Sequence, residues 1–217
     1  MIPASGRIAA FGSIDIKTPL VLPGQRVGIM GGTFNPAHDG HRIVAETAVK
    51  RLRLDQLWWL VTPGNPLKSK SGLPEQALRM AAAKEFAPSP RMKITGFEAA
   101  LGTPFTAATL AFLKRRYPRV RFVWVMGADN LASFDRWQQW RAIAGTFPLA
   151  IIDRPGWRLR ALASPTARAF AQRRVPELRA ALLTKRPPPA WVFLTSRLSP
   201  LSSTKLRDVS NHMKYKE

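Results

Sequence analysis

Residues 31–41 (GGTFNPAHDGH) hold two glycines, an Asn-Pro pair and two histidines in one short stretch. Gly31 and Gly32 let the backbone approach a ligand with no Cβ in the way, and the Asn-Pro pair favours a turn. An apolar run precedes the stretch and a helix-like run follows it, so the positive end of a helix should face the turn and favour an anion. His38 and His41 can both donate to phosphate oxygens there. The stretch therefore predicts a phosphate-binding turn.

The phosphate loops G-x-x-x-x-G-K-[ST] and G-x-G-x-x-G do not occur in this sequence. Residues 31–41 instead closely resemble the G-G-[ST]-F-[DN]-P-x-H-x-G-H signature of the bacterial nicotinate-nucleotide adenylyltransferases, members of the nucleotidyltransferase superfamily marked by an HxGH motif. The resemblance implies that His38 and His41 are catalytic. It also implies ATP or phosphate contacts from Gly31, Gly32, Thr33 and Phe34. A plainer interpretation is a helix start capped by Asp39, with two incidental surface histidines.

Residues 201–207 (LSSTKLR) place three hydroxyl groups and two basic side chains near a predicted helix start, where they form a second anion cradle. The segment resembles the family's I-S-S-T-x-[IL]-R motif, with Leu201 in place of the usual isoleucine. The resemblance implies that the ATP phosphates are bound by Ser202, Ser203, Thr204 and Arg207. An ordinary serine N-cap with basic neighbours is the alternative.

Residues 127–137 (GADNLASFDRW) follow a predicted strand and contain an acid near its end. An acid that faces a cleft from a strand end can bind a ribose hydroxyl or a nucleotide amine. The family carries a similar G-x-D segment followed by a tryptophan near the nicotinate ring, and the resemblance implies that Asp129 and Trp137 contact the mononucleotide. The helical spacing of Trp137 and Trp140 also fits two core residues.

Two other segments match the family in part. In residues 63–68 (PGNPLK) the family usually reads P-P-H-K, so Lys68 matches while Leu67 replaces the histidine. Lys68 could close over a triphosphate, or it could be a solvated loop charge. In residues 105–110 (FTAATL) the family reads Y-T-x-D-T-L, so a tyrosine and an aspartate are missing here. The resemblance implies that Thr106 contacts the mononucleotide, although helix capping would also explain this threonine.

The composition limits the class of protein. The 217 residues suit one domain, and a hydrophobic fraction of 46% allows a substantial core. The absence of cysteine excludes disulfides, zinc fingers and cysteine nucleophiles. The sequence shows no signal peptide and no apolar run of membrane-spanning length, so we expect a cytoplasmic protein with no membrane partner.

The net charge of +21, from 34 basic and 13 acidic residues, is large for this length. It fits a compositional bias toward arginine, long-range steering of small polyanions such as ATP, or nucleic-acid binding. The basic residues are spread along the chain, and the sequence shows no basic helix, aromatic stacking platform or nucleic-acid motif. A nucleic-acid partner is therefore not expected, and the oligomeric state stays open.

Strand-like and helix-like runs alternate from residue 26 onward. The predicted strands are 27–30, 57–62, 92–95, 121–126, 148–152 and 191–195, and the predicted helices are 40–52, 74–86 and 106–117, with a last helix capped by Ser202 or Ser203. This alternation predicts an α/β fold with a doubly wound, mainly parallel sheet, and the resemblance implies a Rossmann-like nucleotidyltransferase. We expect residues 26–217 to form one nucleotidyltransferase domain after a poorly ordered N-terminal extension, residues 1–25. In such a sheet the loops that carry the motifs converge on one cleft.

The family resemblance implies transfer of the adenylyl group of ATP to nicotinate mononucleotide, giving nicotinate adenine dinucleotide and pyrophosphate, a step of NAD biosynthesis. ATP and nicotinate mononucleotide would be the partners. A Mg²⁺ ion would be bound mainly through the ATP phosphates, because the sequence shows no carboxylate cluster for a metal cage. The alternatives are an adenylyl- or cytidylyltransferase of the same superfamily with a different phosphate acceptor, a basic nucleic-acid-binding protein, and an inactive family member, since only residues 208–217 follow the last motif.

Overall fold

The computed structural model describes residues 17–64, 72–102 and 105–197, and a seven-stranded sheet runs through them. The strands are β1 (Arg26–Gly32), β2 (Gln56–Val61), β3 (Met92–Thr95), β4 (Arg121–Gly127), β5 (Leu149–Ile152), β6 (Arg174–Val175) and β7 (Trp191–Leu194). The α-helices are α1 (Asp39–Arg51), α2 (Gln76–Glu85), α3 (Thr106–Arg116), α4 (Ala128–Leu131), α5 (Trp140–Thr146), α6 (Arg158–Leu162) and α7 (Pro165–Ala169). Short 3₁₀ segments cover Phe97–Leu101, Phe134–Arg136, Ala171–Arg173 and Glu177–Lys185.

Neighbouring strands in the sheet are parallel, in the order β3-β2-β1-β4-β5-β7-β6. The chain moves outward from β1 to β3 and then returns to the other side of β1 with β4. The strand order therefore reverses between β1 and β4. In sheets of this kind, ligands bind in the crevice at the carboxyl ends of the two strands that flank the reversal. The predicted doubly wound parallel sheet is confirmed.

Apolar side chains cover both faces of the sheet. Successive residues of a strand point to opposite faces, so Trp58 and Trp59 of β2 lie in two different buried clusters. Two strands away in the sheet, on β4, Trp124 joins the cluster of Trp58, and Val125 joins the cluster of Trp59. Strands that are apolar almost throughout are expected where helices cover both faces. In the described part of the chain, no helix is long and apolar enough to cross a membrane.

The longer elements agree with the sequence-based prediction to within about two residues at each end. The prediction omits β6 and helices α4 to α7. These helices have seven residues or fewer, so they contain too few turns to show a periodic apolar pattern. The helix predicted to begin at Ser202 or Ser203 lies outside the described residues.

Residues 17–25, the end of the predicted N-terminal extension, lie against the domain. Val21 packs on the buried cluster that contains Trp58, and the hydroxyls of Thr18 and Tyr117 form a hydrogen bond. Apolar burial and this bond hold the segment in place. The rest of the predicted extension, residues 1–16, lies outside the described residues.

Candidate active site

Helix α1 begins at the predicted phosphate-binding turn, and His38 caps it. The backbone N–H of Gly40 donates to Nδ1 of the His38 ring at 3.0 Å, and only 3% of His38 is exposed. Because Nδ1 accepts this hydrogen bond, the neutral ring carries its proton on Nε2. His38 can therefore donate through Nε2 to an anion at the helix start. The alternative of an Asp39 cap with two surface histidines is wrong.

His41 lies in the first turn of α1, against His38. The two ring centroids are 3.9 Å apart, and the Phe34 ring contacts His41 edge-on, with 4.9 Å between centroids. Among the described residues, the buried Nδ1 atom of His41 has no hydrogen-bond partner. Ring packing therefore holds the His41 imidazole in place. Both imidazoles lie at the helix start, as the sequence predicts, and their catalytic roles stay a prediction.

Burial makes both histidines hard to protonate. It lowers the pKa of His38 to about 4, with a further lowering by the Arg154 guanidinium and an opposite effect of Asp39. Burial also lowers the pKa of His41 well below its ordinary value, and the nearby His38 and Arg154 add to this. At neutral pH both rings are therefore neutral N–H donors in the free protein.

Arg154 reaches the two histidines from the loop after β5. A Cβ on Gly40 would lie 2.6 Å from Nη1 of Arg154, and a Cβ on Gly127 would lie 3.2 Å from its Cγ, so two glycines make the space for this side chain. The Arg154 side chain is 13% exposed, and its Nε lies 3.9 Å from Oδ1 of Asp129, which follows β4. Side chains that follow β1, β4 and β5 therefore meet at the crevice where the strand order reverses.

Arg154 is absent from the sequence-based predictions. The available signal is its place in an Asp-Arg-Pro-Gly run after the predicted strand 148–152, because loops after parallel strands reach the same edge of a sheet. The buried carboxylate of Asp153 accepts hydrogen bonds from the main-chain N–H of Arg154 at 2.9 Å and from Nε of Arg158 at 2.8 Å. Asp153 thereby fixes the loop that carries Arg154.

Gly31 and Gly32, the last two residues of β1, lie close to the side chains that pack around the turn. A Cβ on Gly31 would lie 2.6 Å from Cη2 of Trp124 in β4, so an indole ring fills the space that the sequence assigns to a ligand. A Cβ on Gly32 would meet the Phe34 ring at 3.3 Å. Phe34 has a φ of +47°, is 2% exposed and stacks on Trp59, with 5.1 Å between centroids. Packing against Trp124 therefore leaves no room for a Cβ at Gly31, and a Cβ at Gly32 would crowd the Phe34 ring.

Two of the residues predicted to contact the mononucleotide are Trp137, which follows β4, and Thr106, which begins α3. Trp137 packs against Trp124 and Phe134, at centroid distances of 6.4 Å and 5.2 Å, and the residue as a whole is partly buried. Thr106 is the first residue of α3, but Phe105 is the cap residue and no side chain forms a capping hydrogen bond. Helix capping therefore does not explain Thr106.

Comparison with known proteins places this geometry in a family. The pattern of the family described as Cytidylyltransferase-like matches residues 29–209. A probable nicotinate-nucleotide adenylyltransferase of Agrobacterium fabrum (strain C58) is 56% identical over 186 residues, which are 86% of this chain and 98% of the relative. The chain belongs to the nicotinate-nucleotide adenylyltransferase family. A relative of the same description from Brucella suis biovar 1 is 55% identical and covers 84% of this chain and 94% of its own length.

The fold agrees with the family. The solved structure of Plasmodium falciparum nicotinic acid mononucleotide adenylyltransferase complexed with NaAD has a TM-score of 0.64 at 17% identity, covering 85% of this chain and 83% of that one. At this identity, the likeness shows a shared Rossmann-like nucleotidyltransferase fold. The chain is therefore an enzyme of the nucleotidyltransferase class.

The remaining residues predicted to bind phosphate lie outside the described residues: Lys68, Ser202, Ser203, Thr204 and Arg207. The described part of the chain ends at Arg197. Together with Gly40 and Arg154, Arg197 lines a shallow depression beside the start of α1. The depression extends along the helix past Ile43 and Val44.

Proposed function

We propose that this chain transfers the adenylyl group of ATP to nicotinate mononucleotide, giving nicotinate adenine dinucleotide and pyrophosphate as a step of NAD biosynthesis. One observation carries the proposal. Two imidazoles and Arg154 meet at a helix start beside the strand reversal, in a chain 56% identical to a probable nicotinate-nucleotide adenylyltransferase over 98% of that relative. N–H donors, a guanidinium and a helix N-terminus suit a polyphosphate.

The proposed reaction depends on positioning and charge stabilisation. A phosphate oxygen of the mononucleotide forms a bond to the α-phosphorus of ATP, the bond from that phosphorus to the bridging oxygen breaks, and pyrophosphate leaves. The attacking oxygen is already an anion, so no proton has to be removed from it. Catalysis then comes from holding the two substrates in line and from donors aimed at the charge of the transferring group.

Each group at the helix start has a part in this proposal. His38 donates from Nε2, because its Nδ1 accepts from the N–H of Gly40. His41 donates to the same transferring group, since its ring lies 3.9 Å from that of His38. Arg154 supplies a full positive charge, and its planar fork of N–H groups matches phosphate oxygens.

The mononucleotide would lie along the end of β4 and the start of α3. The Asp129 side chain, 37% exposed, can accept a hydrogen bond from a ribose hydroxyl or a nucleotide amine. Trp137, which is only partly buried, can stack on or contact the nicotinate ring. Thr106 offers a hydroxyl group that no helix cap uses.

The other proposed contacts rest on the family resemblance. They are the ATP or phosphate contacts of Gly31, Gly32, Thr33, Phe34, Lys68, Ser202, Ser203, Thr204 and Arg207. Trp124 and Phe34 fill the space beside Gly31 and Gly32. We therefore expect these two glycines to contact phosphate through their main-chain atoms.

We also propose a Mg²⁺ ion bound mainly through the ATP phosphates. Within residues 17–64, 72–102 and 105–197, no group of three or more His, Cys, Asp or Glu side chains that could hold a metal is found. An ion with few protein ligands fits this donor set. When bound, the ion neutralises part of the triphosphate charge. A chelator should therefore stop product formation, and added Mg²⁺ should restore it.

Product analysis tests the proposed function. The protein is incubated with ATP and Mg²⁺ and with one of three acceptors: nicotinate mononucleotide, nicotinamide mononucleotide or phosphopantetheine. We expect nicotinate adenine dinucleotide and an equal amount of pyrophosphate, with the highest kcat/KM for nicotinate mononucleotide. Adenylylation of phosphopantetheine alone, or no turnover by the folded protein, would contradict the proposal.

A further inference from the structure

Arg79 of α2 has no part in the reaction proposed above, yet its guanidinium lies at the base of the histidine turn. Only 3% of Arg79 is exposed. Its Nη1 donates to the main-chain oxygens of Thr33 at 2.7 Å and Thr62 at 2.9 Å, and its Nε donates to the oxygen of Pro74 at 2.9 Å. One side chain thus joins the loop after β1, the residue after β2 and the segment that enters α2.

A buried guanidinium needs compensation for the water that it loses. Burial lowers the pKa of Arg79 below its ordinary value, and among the described residues no carboxylate forms an ion pair with it. Its compensation comes from main-chain oxygens in three separate segments. A planar fork that bonds in several fixed directions at once is suited to holding loops at set positions relative to one another.

Phe34 links the hydrogen bond between Arg79 and Thr33 to His41, because it follows Thr33 and its ring contacts the His41 ring. The backbone of Phe34 has a φ of +47°, a conformation that is rare for bulky side chains. Its ring stacks on Trp59 and contacts His41 edge-on, at centroid distances of 5.1 Å and 4.9 Å. Since Nδ1 of His41 has no hydrogen-bond partner in the described chain, ring contacts set the orientation of its imidazole.

We propose that Arg79 is a positioning residue for His41. Arg79 holds the Thr33 carbonyl, the adjacent Phe34 ring is thereby kept between Trp59 and His41, and the His41 imidazole is oriented toward the transferring phosphoryl group. The kinetic consequence rests on the proposed function. The chain of contacts from Arg79 to His41 is a property of the free protein and is tested separately.

Arg79→Lys is the main test. Lysine keeps the positive charge but replaces the planar fork with a single ammonium group, which cannot bond all three oxygens in the same directions. A misoriented catalytic group is felt most in the transition state, so kcat should fall about tenfold or more, while KM for both substrates changes less than about twofold. Arg26→Lys is the matched control, because Arg26 bonds Asp55 at the amino-terminal end of β1, and it should keep kcat unchanged.

Histidine ring resonances in NMR separate positioning from a general loss of stability. The chain has three histidines, so single His→Gln variants assign their ring protons. The ring-proton shifts of His41 depend on the neighbouring Phe34 ring. Arg79→Lys should therefore move the His41 resonances in the free protein. Arg26→Lys should leave the His38 and His41 resonances unchanged.

A double-mutant cycle with Phe34→Leu completes the test. If Arg79 acts through Phe34, the kcat losses of Arg79→Lys and Phe34→Leu do not add in the double variant. Phe34→Leu alone must also lower kcat and move the His41 resonances, which tests the contact chain even if Arg79→Lys does not fold. Wild-type kcat, additive losses or unmoved His41 resonances in a folded variant would overturn the proposal. If the wild-type protein makes no dinucleotide, the proposed function fails, and the NMR shifts alone decide the role of Arg79.

Discussion

His38 and His41 lie where a buried environment favours the neutral imidazole, while Arg154 beside them keeps a positive charge. Burial and Arg154 lower the pKa of His38 to about 4, so at neutral pH the histidines provide directed N–H groups and the guanidinium provides the charge. This division suits a reaction whose attacking group is already an anion. Neutral donors on a fixed helix start need little reorganisation when charge develops.

His41→Ala should lower turnover on the order of 10²-fold, since one donor to the transition state is lost. Pyrophosphate release measures the effect. Arg42→Ala is a suitable control, because Arg42 lies on the exposed side of the same helix turn and pairs with Glu46. Near-normal turnover of His41→Ala would remove His41 from the mechanism.

Gly40→Ala should disturb the site through packing alone. A Cβ at Gly40 would lie 2.6 Å from Nη1 of Arg154 and 2.7 Å from Cε1 of His38. We expect a large loss of turnover and a loss of stability of about 1–3 kcal/mol from overpacking. The control is Gly145→Ala in α5, where a Cβ meets nothing within 4 Å and stability should stay equal or rise by up to about 1 kcal/mol. Equal thermal unfolding and equal turnover in the two variants would contradict this account of Gly40.

At the scale of elements, the periodic strands and helices were predictable because their patterns repeat over several turns or residues. β1, β4 and α1 lie where the sequence places them. In the stretch from α4 to Glu177–Lys185, β5 was predicted, but the other elements were not predictable, because the helices are short and β6 has two residues. Such segments form where neighbouring elements leave room for them, and local sequence carries little of that information.

A buried hydrogen bond ties the 3₁₀ segment Phe97–Leu101 to α3. Thr109 Oγ1 donates to Glu98 Oε1 at 2.7 Å, and burial raises the pKa of Glu98, which this bond partly offsets. Thr109→Val should therefore lower the free energy of unfolding by about 1–3 kcal/mol, because a buried acceptor loses its donor. Thr146→Val is the control: its hydroxyl forms an exposed hydrogen bond to the Ala142 carbonyl of its own helix, so a change below about 0.5 kcal/mol is expected. Denaturant unfolding measures both, and equal effects would contradict a special role for the Glu98 bond.

At the scale of the whole molecule, the buried histidines make stability depend on pH. An unfolded histidine takes up a proton near pH 6.5, whereas folded His38 does so only at about 4, and the pKa of His41 is also lowered. Between these values the unfolded chain binds more protons, so the free energy of unfolding should fall as the pH drops from about 6.5 toward 4. This contribution is fully present above the unfolded pKa and is lost on acidification.

Denaturant unfolding at several pH values measures this dependence. In a His38→Gln, His41→Gln double variant, the free energy of unfolding should fall less steeply as the pH drops, because the contribution of the two rings is removed. If the curves of unfolding free energy against pH run parallel for the wild type and the double variant, other groups determine the pH dependence. The assay needs no substrate, so its result does not depend on the proposed reaction.

The sequence by itself determined the alternating α/β architecture, the histidine turn at the start of α1 and the family, because these depend on short-range patterns and an uninterrupted motif. Only the tertiary structure decided that Arg154, more than eighty residues away in the chain, meets that turn and that Asp129 lies 3.9 Å from its Nε. It also decided that Trp124 fills the space beside Gly31 and that Arg79 holds the Thr33 carbonyl. The physical reason is the strand order: β4 returns beside β1, so loops far apart in sequence reach one edge of the sheet, and local patterns do not encode which loops those are.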